Sequence, residues 1–463
     1  MELLIAPNNI LNLPEEEWAD FQELVNIFNQ HQTNNQEKIK YYEGKIAVGE
    51  VNLGIALPKQ LRGLEIGCAW GAKAVDVLAA RSMFDGFVGN NGAAVEDLDQ
   101  IVADNGFLSQ YEKGTRDELM LGCTFATLSR DPEIKVKIRL HSSMTAAASW
   151  SGEKNRIKKG FAIIDTEMDE TGQYTRPTVI NYYTDTAVWV LTKTGDSTWE
   201  AEENRHPMGR PLMEAMIWNA TTKKPFGRSR IKEPVRRLID GYIRTIANAS
   251  IGLEFATSPQ KYLLGVTDDQ FDAVVNDKFR QYVGSIIAAT TNPDTGEKPS
   301  FGQLQQGTIT PHVDMLRMLA TQYSAATGLT VTDTGVVNDA NPTSSDALEA
   351  QTKTLIGMAE HLNTGNGEAL KNIALMAIAI KENKSLDQLT DEQKAIMAHF
   401  KNPAMPSIAT TTDAAIKIAA ARQGFANTDT FLEMIGFDQA EIRRIKNQEA
   451  QARGLAVLSE IEG

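Results

Sequence analysis

The chain is organised around a unit that begins with the stretch EPVRRLIDGYIRTIANASIGLEF, residues 233–255. Its apolar residues, from Val235 to Leu253, recur three, four or seven positions apart, which is the period of an amphipathic helix with one apolar stripe. Pro234 suits the first helical turn, where its missing N–H would have no helical partner in any case. We therefore predict a helix of roughly 35 Å, at about 1.5 Å per residue.

A second amphipathic stretch, residues 311–327, follows an insertion at 258–310. After it comes GLTVTDTGVVNDANP, residues 328–342, which is small, polar and turn-forming. A connection of this length without apolar periodicity is typical of a functional or disordered loop. Asn341 is a good N-cap and Pro342 a good first helical residue, so we predict a further helix from there to about residue 362.

The segments on either side of this unit predict an α+β fold. Residues 1–110 have a mostly helical pattern, with one helix opened by acidic residues and another over 70–84. Residues 115–230 alternate between apolar and polar side chains, as in 134–140, and predict a β-rich antiparallel region. The last hundred residues are alanine-rich and helical, with capping-box spacing at Thr390, Thr430 and Asp438.

Composition limits the classes of function. The chain has 463 residues, enough for two to four domains, and a net charge of −14. A broad basic surface that grips nucleic acid is therefore not expected. Two cysteines, Cys68 and Cys123, indicate a reducing compartment rather than a disulfide framework. We find no signal peptide and no apolar run long enough for a membrane span.

The sequence offers no local catalytic motif. It lacks a P-loop and a Gly-x-Ser-x-Gly elbow, and no histidine has a second ligand at metal-binding spacing. We predict no catalytic residue, no metal and no cofactor, although a composite site in the β-rich region stays open as an alternative. The basic run 154–159 is interpreted as a solvated hairpin turn.

Five arginines cluster around the first long helix: Arg228, Arg230, Arg236, Arg237 and Arg244. Arginines at helical spacing commonly form ion pairs, here with Asp240 or with a neighbouring chain. Contact with DNA is the alternative interpretation of this cluster.

Several ordered motifs resemble the portal proteins of tailed bacteriophages, of the siphovirus type. They are Tyr42-Glu43-Gly44-Lys45, VDVLAAR at 75–81 followed by DGF at 85–87, PFGRSRI at 225–231, 255–265, FGQL at 301–304 and NPTSSDA at 341–347. The resemblance extends from Tyr41 to about Glu360. At the last motif this chain has Thr343 and Asp346 where the family has Ser and Glu, and both changes keep the capping chemistry. The insertion and the last hundred residues match less well.

The resemblance implies a ring-forming portal fold. Its expected parts are a wing (1–230), a first stem helix (231–257), a clip (258–310), a second stem helix (311–327), a tunnel loop (328–342), a wing or tunnel helix (343–364) and a helical crown (365–463). The tunnel loop would face DNA through Thr330, Asp333, Thr334, Val336, Val337, Asn338 and Asn341. The stem would line the channel with Arg236, Arg237, Asp240 and Arg244. The clip would dock partners through Asp277, Lys278, Arg280, Asp294, Glu297 and Lys298.

The resemblance also implies the setting in which the chain works. A twelve-subunit homo-oligomeric ring would occupy one capsid vertex, conduct double-stranded DNA, and contact the terminase large subunit, a head–tail adaptor, and the major capsid and scaffold proteins. The chain would reside in the virion, and in the host cytoplasm during assembly, with no membrane partner. A capsid scaffold or adaptor without a channel is one alternative, and a hydrolase with a composite site is another.

Overall fold

The computed structural model describes residues 9–51, 63, 65–90, 95–168, 175–195, 198–257, 261–264, 296, 298, 300–303, 308–336, 345–404, 408–437 and 439–461. The fold is mixed, with helices and largely antiparallel sheets, so the predicted α+β class is confirmed. Among the described helices, none is both long enough and apolar enough to cross a bilayer.

The elements alternate between helical and extended blocks along the chain. The described helices are α1 (Glu15–Glu43), α2 (Trp70–Ala79), α3 (Glu96–Asp104), α4 (Phe107–Leu121), α5 (Glu233–Thr257), α6 (Thr310–Thr327), α7 (Ser345–Glu382), α8 (Asp391–Lys394), α9 (Ile408–Ala421), α10 (Asp429–Met434) and α11 (Gln439–Ile461). The described strands are β1 (Asn9–Leu11), β2 (Phe84–Val88), β3 (Cys123–Asp131), β4 (Lys135–Ser142), β5 (Ala146–Ser151), β6 (Arg156–Met168), β7 (Thr175–Tyr183), β8 (Ala187–Lys193), β9 (Thr198–Arg205), β10 (Met213–Ile217), β11 (Lys261–Leu264), β12 (Ser300–Gln303) and β13 (Met397–Phe400).

Helix α1 packs on a six-stranded sheet of order β1-β9-β8-β7-β6-β5. Phe21 lies edge-on against Phe161 and Tyr182, with ring centroids 5.7 and 5.5 Å apart. The predicted basic run forms the β5–β6 hairpin, as expected for a turn. Its last residue, Lys159, is not merely solvated, because its ammonium contacts Glu17 (2.8 Å) and Asp20 on α1.

In a second layer, helix α4 and the C-terminal half of α7 pack against the sheet β10-β3-β4, and α3 packs on α4, β2 and α7. The apolar run 373–380 is the buried end of α7 and belongs to this core. A separate core joins α2, α5, α6 and the N-terminal half of α7. Helix α7 therefore spans both cores and holds the two halves of the body together.

Three predicted boundaries differ from the structure. The helix expected to end near residue 362 continues to Glu382, because the turns that follow Gly365 and Gly367 carry apolar side chains that enter the core. The helix predicted over 70–84 ends at Ala79, since Phe84 begins a strand paired with β13. The cap of α10 is Thr428, whose hydroxyl accepts from the Phe431 N–H, and not Thr430.

The predicted tunnel-helix and crown boundary at 364/365 falls inside continuous α7. The predicted helix start at Asn341 and Pro342 lies outside the described residues. At Thr390 the predicted capping box is confirmed, with the side chains of Thr390 and Gln393 bonded to each other's backbone N–H groups. Asp438 lies outside the described residues.

Candidate functional site

Helices α5 and α6, the two predicted stem helices, lie before and after the insertion in the chain and pack against each other. Their buried faces interdigitate: Ile239 and Ile243 of α5 and Leu319 of α6 are almost fully enclosed. Gly241 permits the close approach, because a Cβ atom there would lie 3.1 Å from Leu319 Cδ2. Periodicity predicted both helices, and the packing of one on the other explains their shared apolar stripe.

Trp70 connects this helix pair to the body. Its ring lies between Tyr242 of α5 and Tyr323 of α6, with centroids 4.8 and 4.7 Å away. The Tyr323 hydroxyl donates to the Trp70 carbonyl, and the Trp70 indole N–H donates to the carbonyl of Thr334 (3.1 Å). The sequence predicted Trp70 at the start of a helix. No local pattern predicted these partners, because they lie far along the chain.

Arg230 is buried at the same junction and acts as an internal clamp. Its guanidinium donates to the carbonyl of Ala74 at α2 and to the carbonyl of Thr327 at the end of α6 (2.7 Å). The group also lies 5.7 Å from the Trp218 ring. Burial lowers the pKa of Arg230 to about 10. Arg230 forms no ion pair with Asp240 and is not available to contact DNA, because its guanidinium binds backbone carbonyls inside the fold.

The remaining stem charges are partnered differently from the prediction. Arg236 contacts Glu37 of α1 and lies 5.8 Å from the Tyr41 ring. The Tyr41 hydroxyl donates to Asp240 Oδ1 (2.7 Å). Arg244 reaches only the Asp240 carbonyl (3.4 Å), so Asp240 forms no ion pair with Arg236 or Arg244.

Asp240 and Arg237 differ in their exposure to solvent. Burial raises the pKa of Asp240 despite the Tyr41 hydrogen bond and the nearby arginines. Arg237 is the exposed member of the set, and it pairs with Glu233 (3.2 Å) one turn away on the same helix. Of the predicted stem residues, Arg237 alone presents most of its side chain to solvent in the single chain.

The first part of the predicted tunnel loop is anchored to the body. Gly328 ends α6 in the left-handed region (φ 71°) and faces Met358 of α7, where a Cβ atom would clash at 2.6 Å. The backbone N–H and the hydroxyl of Thr330 both donate to Asp333 Oδ2 (2.9 and 2.8 Å), which closes a short 3-10 turn at Thr332–Thr334. Val336 packs on the stem core. Val337, Asn338 and Asn341 lie outside the described residues.

Little of the predicted clip falls within the described residues. Strands β11 and β12 pair antiparallel, with Tyr262 opposite Gly302, and so bring the two ends of the insertion together. Lys298 is exposed. The other predicted docking residues, Asp277, Lys278, Arg280, Asp294 and Glu297, lie outside the described residues.

The described histidines and carboxylates form no metal centre: no group of three or more His, Cys, Asp or Glu is placed to hold an ion in the described ranges. In the β-rich region His141 is buried beside the Thr127 hydroxyl (2.9 Å), and burial lowers the pKa of its imidazole to about 4. Both cysteines are buried and unpaired. His399 lies between Asp85 (3.6 Å) and Glu433 (3.7 Å), where it connects α10 to the body.

Comparisons with known proteins give only distant similarities in shape. No protein-family model matches the chain, and no curated protein matches it. A chain from the virion of a native gene transfer agent particle is 13% identical over 80% of this chain and 89% of that chain, with a TM-score of 0.45. A chain from the neck of the native particle, computed with C12 symmetry, is 14% identical over 80% and 90%, with a TM-score of 0.46. At this identity and TM-score, these similarities define neither a family nor a function for this chain.

Proposed function

We propose that this protein is a phage portal subunit that forms a ring-shaped channel for double-stranded DNA at one capsid vertex. The observation that carries the proposal is the sequential unit of α5, insertion, α6, anchored turn and α7. In this unit the sequence motifs that resemble portal proteins fall at the junctions between elements. Trp70 and Arg230 connect α5, α6 and the anchored turn to α2 in the body, which supports a load-bearing role for this unit.

Exposed apolar side chains on the stem helices support self-assembly. Leu253 of α5 and Val313, Met315 and Met318 of α6 are 39–47% exposed in the single chain. Singly placed apolar residues are ordinary on surfaces, but four on one helix pair favour coverage by another subunit. In the proposed ring, neighbouring stems supply that cover.

The charge of the loop suits conduction of DNA rather than capture. Residues 328–342 contain no Lys or Arg, so the segment offers no cation to phosphate. Each firm phosphate contact would add affinity through counterion release and slow sliding. In the proposal, the terminase large subunit supplies the motor, and a head–tail adaptor and the capsid and scaffold proteins contact the ring in the virion or during assembly in the host cytoplasm.

Mass photometry with negative-stain imaging of the purified chain tests the proposal. We expect particles of about 600 kDa, twelve times the chain mass of 50.8 kDa, with a central hole. Closed assemblies without a hole would favour the scaffold or adaptor alternative. A chain that stays monomeric alone and also when co-expressed with capsid components would contradict the portal proposal.

A further inference from the structure

A cavity of about 480 Å³ lies between α1, strands β3 and β5, and the segment that leads into α5. Its floor is apolar and includes Phe28, Leu121, Phe125 and Ala147. Phe28 and Phe125 are almost fully buried, so the floor is part of the packed body and is fixed in shape. A ligand that filled this cavity would need an apolar part.

The lining above this floor is strongly cationic. It contains Lys38, Lys224, Arg228, Lys232 and Arg236. The lining has a single acidic residue, Glu233, and its carboxylate already pairs with Arg237. This excess of positive charge stands out in a chain whose net charge is −14.

Most of these cations have no acidic partner among the residues that the structure describes. Arg236 contacts Glu37, but within the described ranges Lys224, Arg228 and Lys232 form no ion pair. Lys38 points its ammonium to Asn35 Oδ1 (2.9 Å) and to the Leu121 carbonyl (3.1 Å), which are neutral acceptors. Desolvation, with a smaller effect of other nearby cations, lowers the pKa of Lys38. The attraction of an incoming anion would offset the desolvation of the ammonium and its repulsion by the other cations.

We infer that this cavity receives an acidic peptide segment from a second copy of the chain, with carboxylates at the cationic rim and an apolar side chain on the floor. The inference rests on the proposed ring, which brings copies side by side. Charge complementarity favours this occupant, because each copy has 60 acidic residues against 46 basic ones. DNA fits less well, since its phosphates would meet the rim and leave the apolar floor empty.

Zero-length carbodiimide cross-linking tests the inference, because the reagent joins a lysine amine only to a carboxylate in contact with it. Equal amounts of ¹⁵N-labelled and unlabelled chain are mixed, assembled, cross-linked and mapped by mass spectrometry. We expect mixed-label peptides that join Lys224 or Lys232 to an Asp or Glu of another copy. Lys223 is exposed beside Lys224 but does not line the cavity, so it serves as the internal control.

Charge reversal gives an independent readout. The double variant K224E/K232E changes exposed side chains, so it should fold normally, yet it should need about threefold to tenfold more protein to assemble. K223E should assemble as the parent does. DNA binding should be the same for the parent, K223E and K224E/K232E.

The outcomes separate this inference from the proposed function. Rings without cross-links from the cavity lysines would overturn the inference and leave the ring proposal standing. Cross-linked dimers without rings would support the inference and reject the ring. Monomers without mixed-label peptides, both for the chain alone and after co-expression with capsid components, would reject both. A loss of DNA binding in K224E/K232E with unchanged assembly would assign the cavity to nucleic acid and overturn the inference.

Discussion

At the scale of single residues, a buried polar network links α4 to α7. Asn366 donates through Nδ2 to Glu118 Oε2 (2.8 Å) and to the Tyr111 hydroxyl (3.1 Å). Glu118 Oε1 and Asn366 Oδ1 are both buried without a hydrogen-bond partner. Burial raises the pKa of Glu118 to about 8, so the side chain keeps a proton at neutral pH. The protonated carboxyl can donate a hydrogen bond at the point where Glu118 Oε1 and Asn366 Oδ1 otherwise have no donor.

The raised pKa of Glu118 makes the free energy of unfolding depend on pH. The unfolded chain releases this proton near pH 4.5, whereas the folded chain holds it up to about pH 8. The contribution of Glu118 to stability is therefore greatest below pH 4.5 and falls by about 1.4 kcal/mol per pH unit as pH rises toward 8. Between pH 5 and pH 8, the free energy of unfolding measured in urea should fall by about 2–4 kcal/mol less in E118Q than in the parent.

The control for this measurement is E112Q, which alters an exposed residue on the same helix. Its pH dependence should match that of the parent. An E118Q protein with the parent's slope between pH 5 and pH 8 would show that Glu118 is ionised in the folded state.

A second prediction at this scale concerns Arg230, which satisfies two buried carbonyls. R230M keeps the apolar volume but leaves those carbonyls without donors, so we expect a loss of about 2–4 kcal/mol in the free energy of unfolding. R237M removes an exposed arginine from the same region and should change stability by no more than about 0.5 kcal/mol. Equal urea midpoints for the two variants would contradict the clamp role of Arg230.

At the scale of elements, α5 and α6 are stabilised on one face and exposed on the other. The buried stripe holds them to the body through Trp70, while Met315 and Met318 face outward. An interface that depends on those apolar side chains should be lost when a charge is buried there. Assembly and folding should therefore separate when only the outer face of α6 is changed.

We expect M318E to fold as the parent does but to shift mass-photometry particles from rings to monomers. M168E is the matched control, because Met168 is 73% exposed on β6 and lies away from the stem. Circular dichroism checks the fold of both variants. Normal rings from M318E would exclude this face of α6 from the subunit contact.

In the segment after α6, residues 328–336 are anchored to the body. The role of residues 337–342 in the tunnel loop stays a prediction. Val336 packs on the stem core, so a charged side chain there would disturb the anchor as well as any channel surface. Asn338 lies outside the described residues and gives the cleaner test. We expect N338R to assemble normally but to package less DNA per particle, since the added cation would contact phosphate.

The control is N427R, which makes the same substitution at an exposed position far along the chain. Packaged DNA is measured by nuclease protection. Full packaging by N338R would contradict the assignment of residues 328–342 as the tunnel loop.

At the scale of the whole molecule, α7 joins two hydrophobic cores, and the acidic chain has a cationic cavity beside its proposed stem. In the proposed function this molecule conducts DNA and docks other proteins, while a separate motor hydrolyses ATP. We therefore expect no ATP hydrolysis by the purified chain above that of a mock preparation. Turnover that co-purifies with the ring and survives repeated chromatography would favour the enzyme alternative.

Elements with a local pattern could be predicted from the sequence. The stripe in 233–255 and the alternation in 134–140 predicted α5 and β4, because helix and strand periods follow from backbone geometry within a few residues. Tertiary structure alone decided that Arg230 binds the carbonyls of Ala74 and Thr327, which lie 156 and 97 residues away. It also decided that α7 continues past Gly365, since burial against two cores outweighs the weak helix propensity of glycine. Partners for a buried side chain depend on which distant segments pack together, and no local pattern records that.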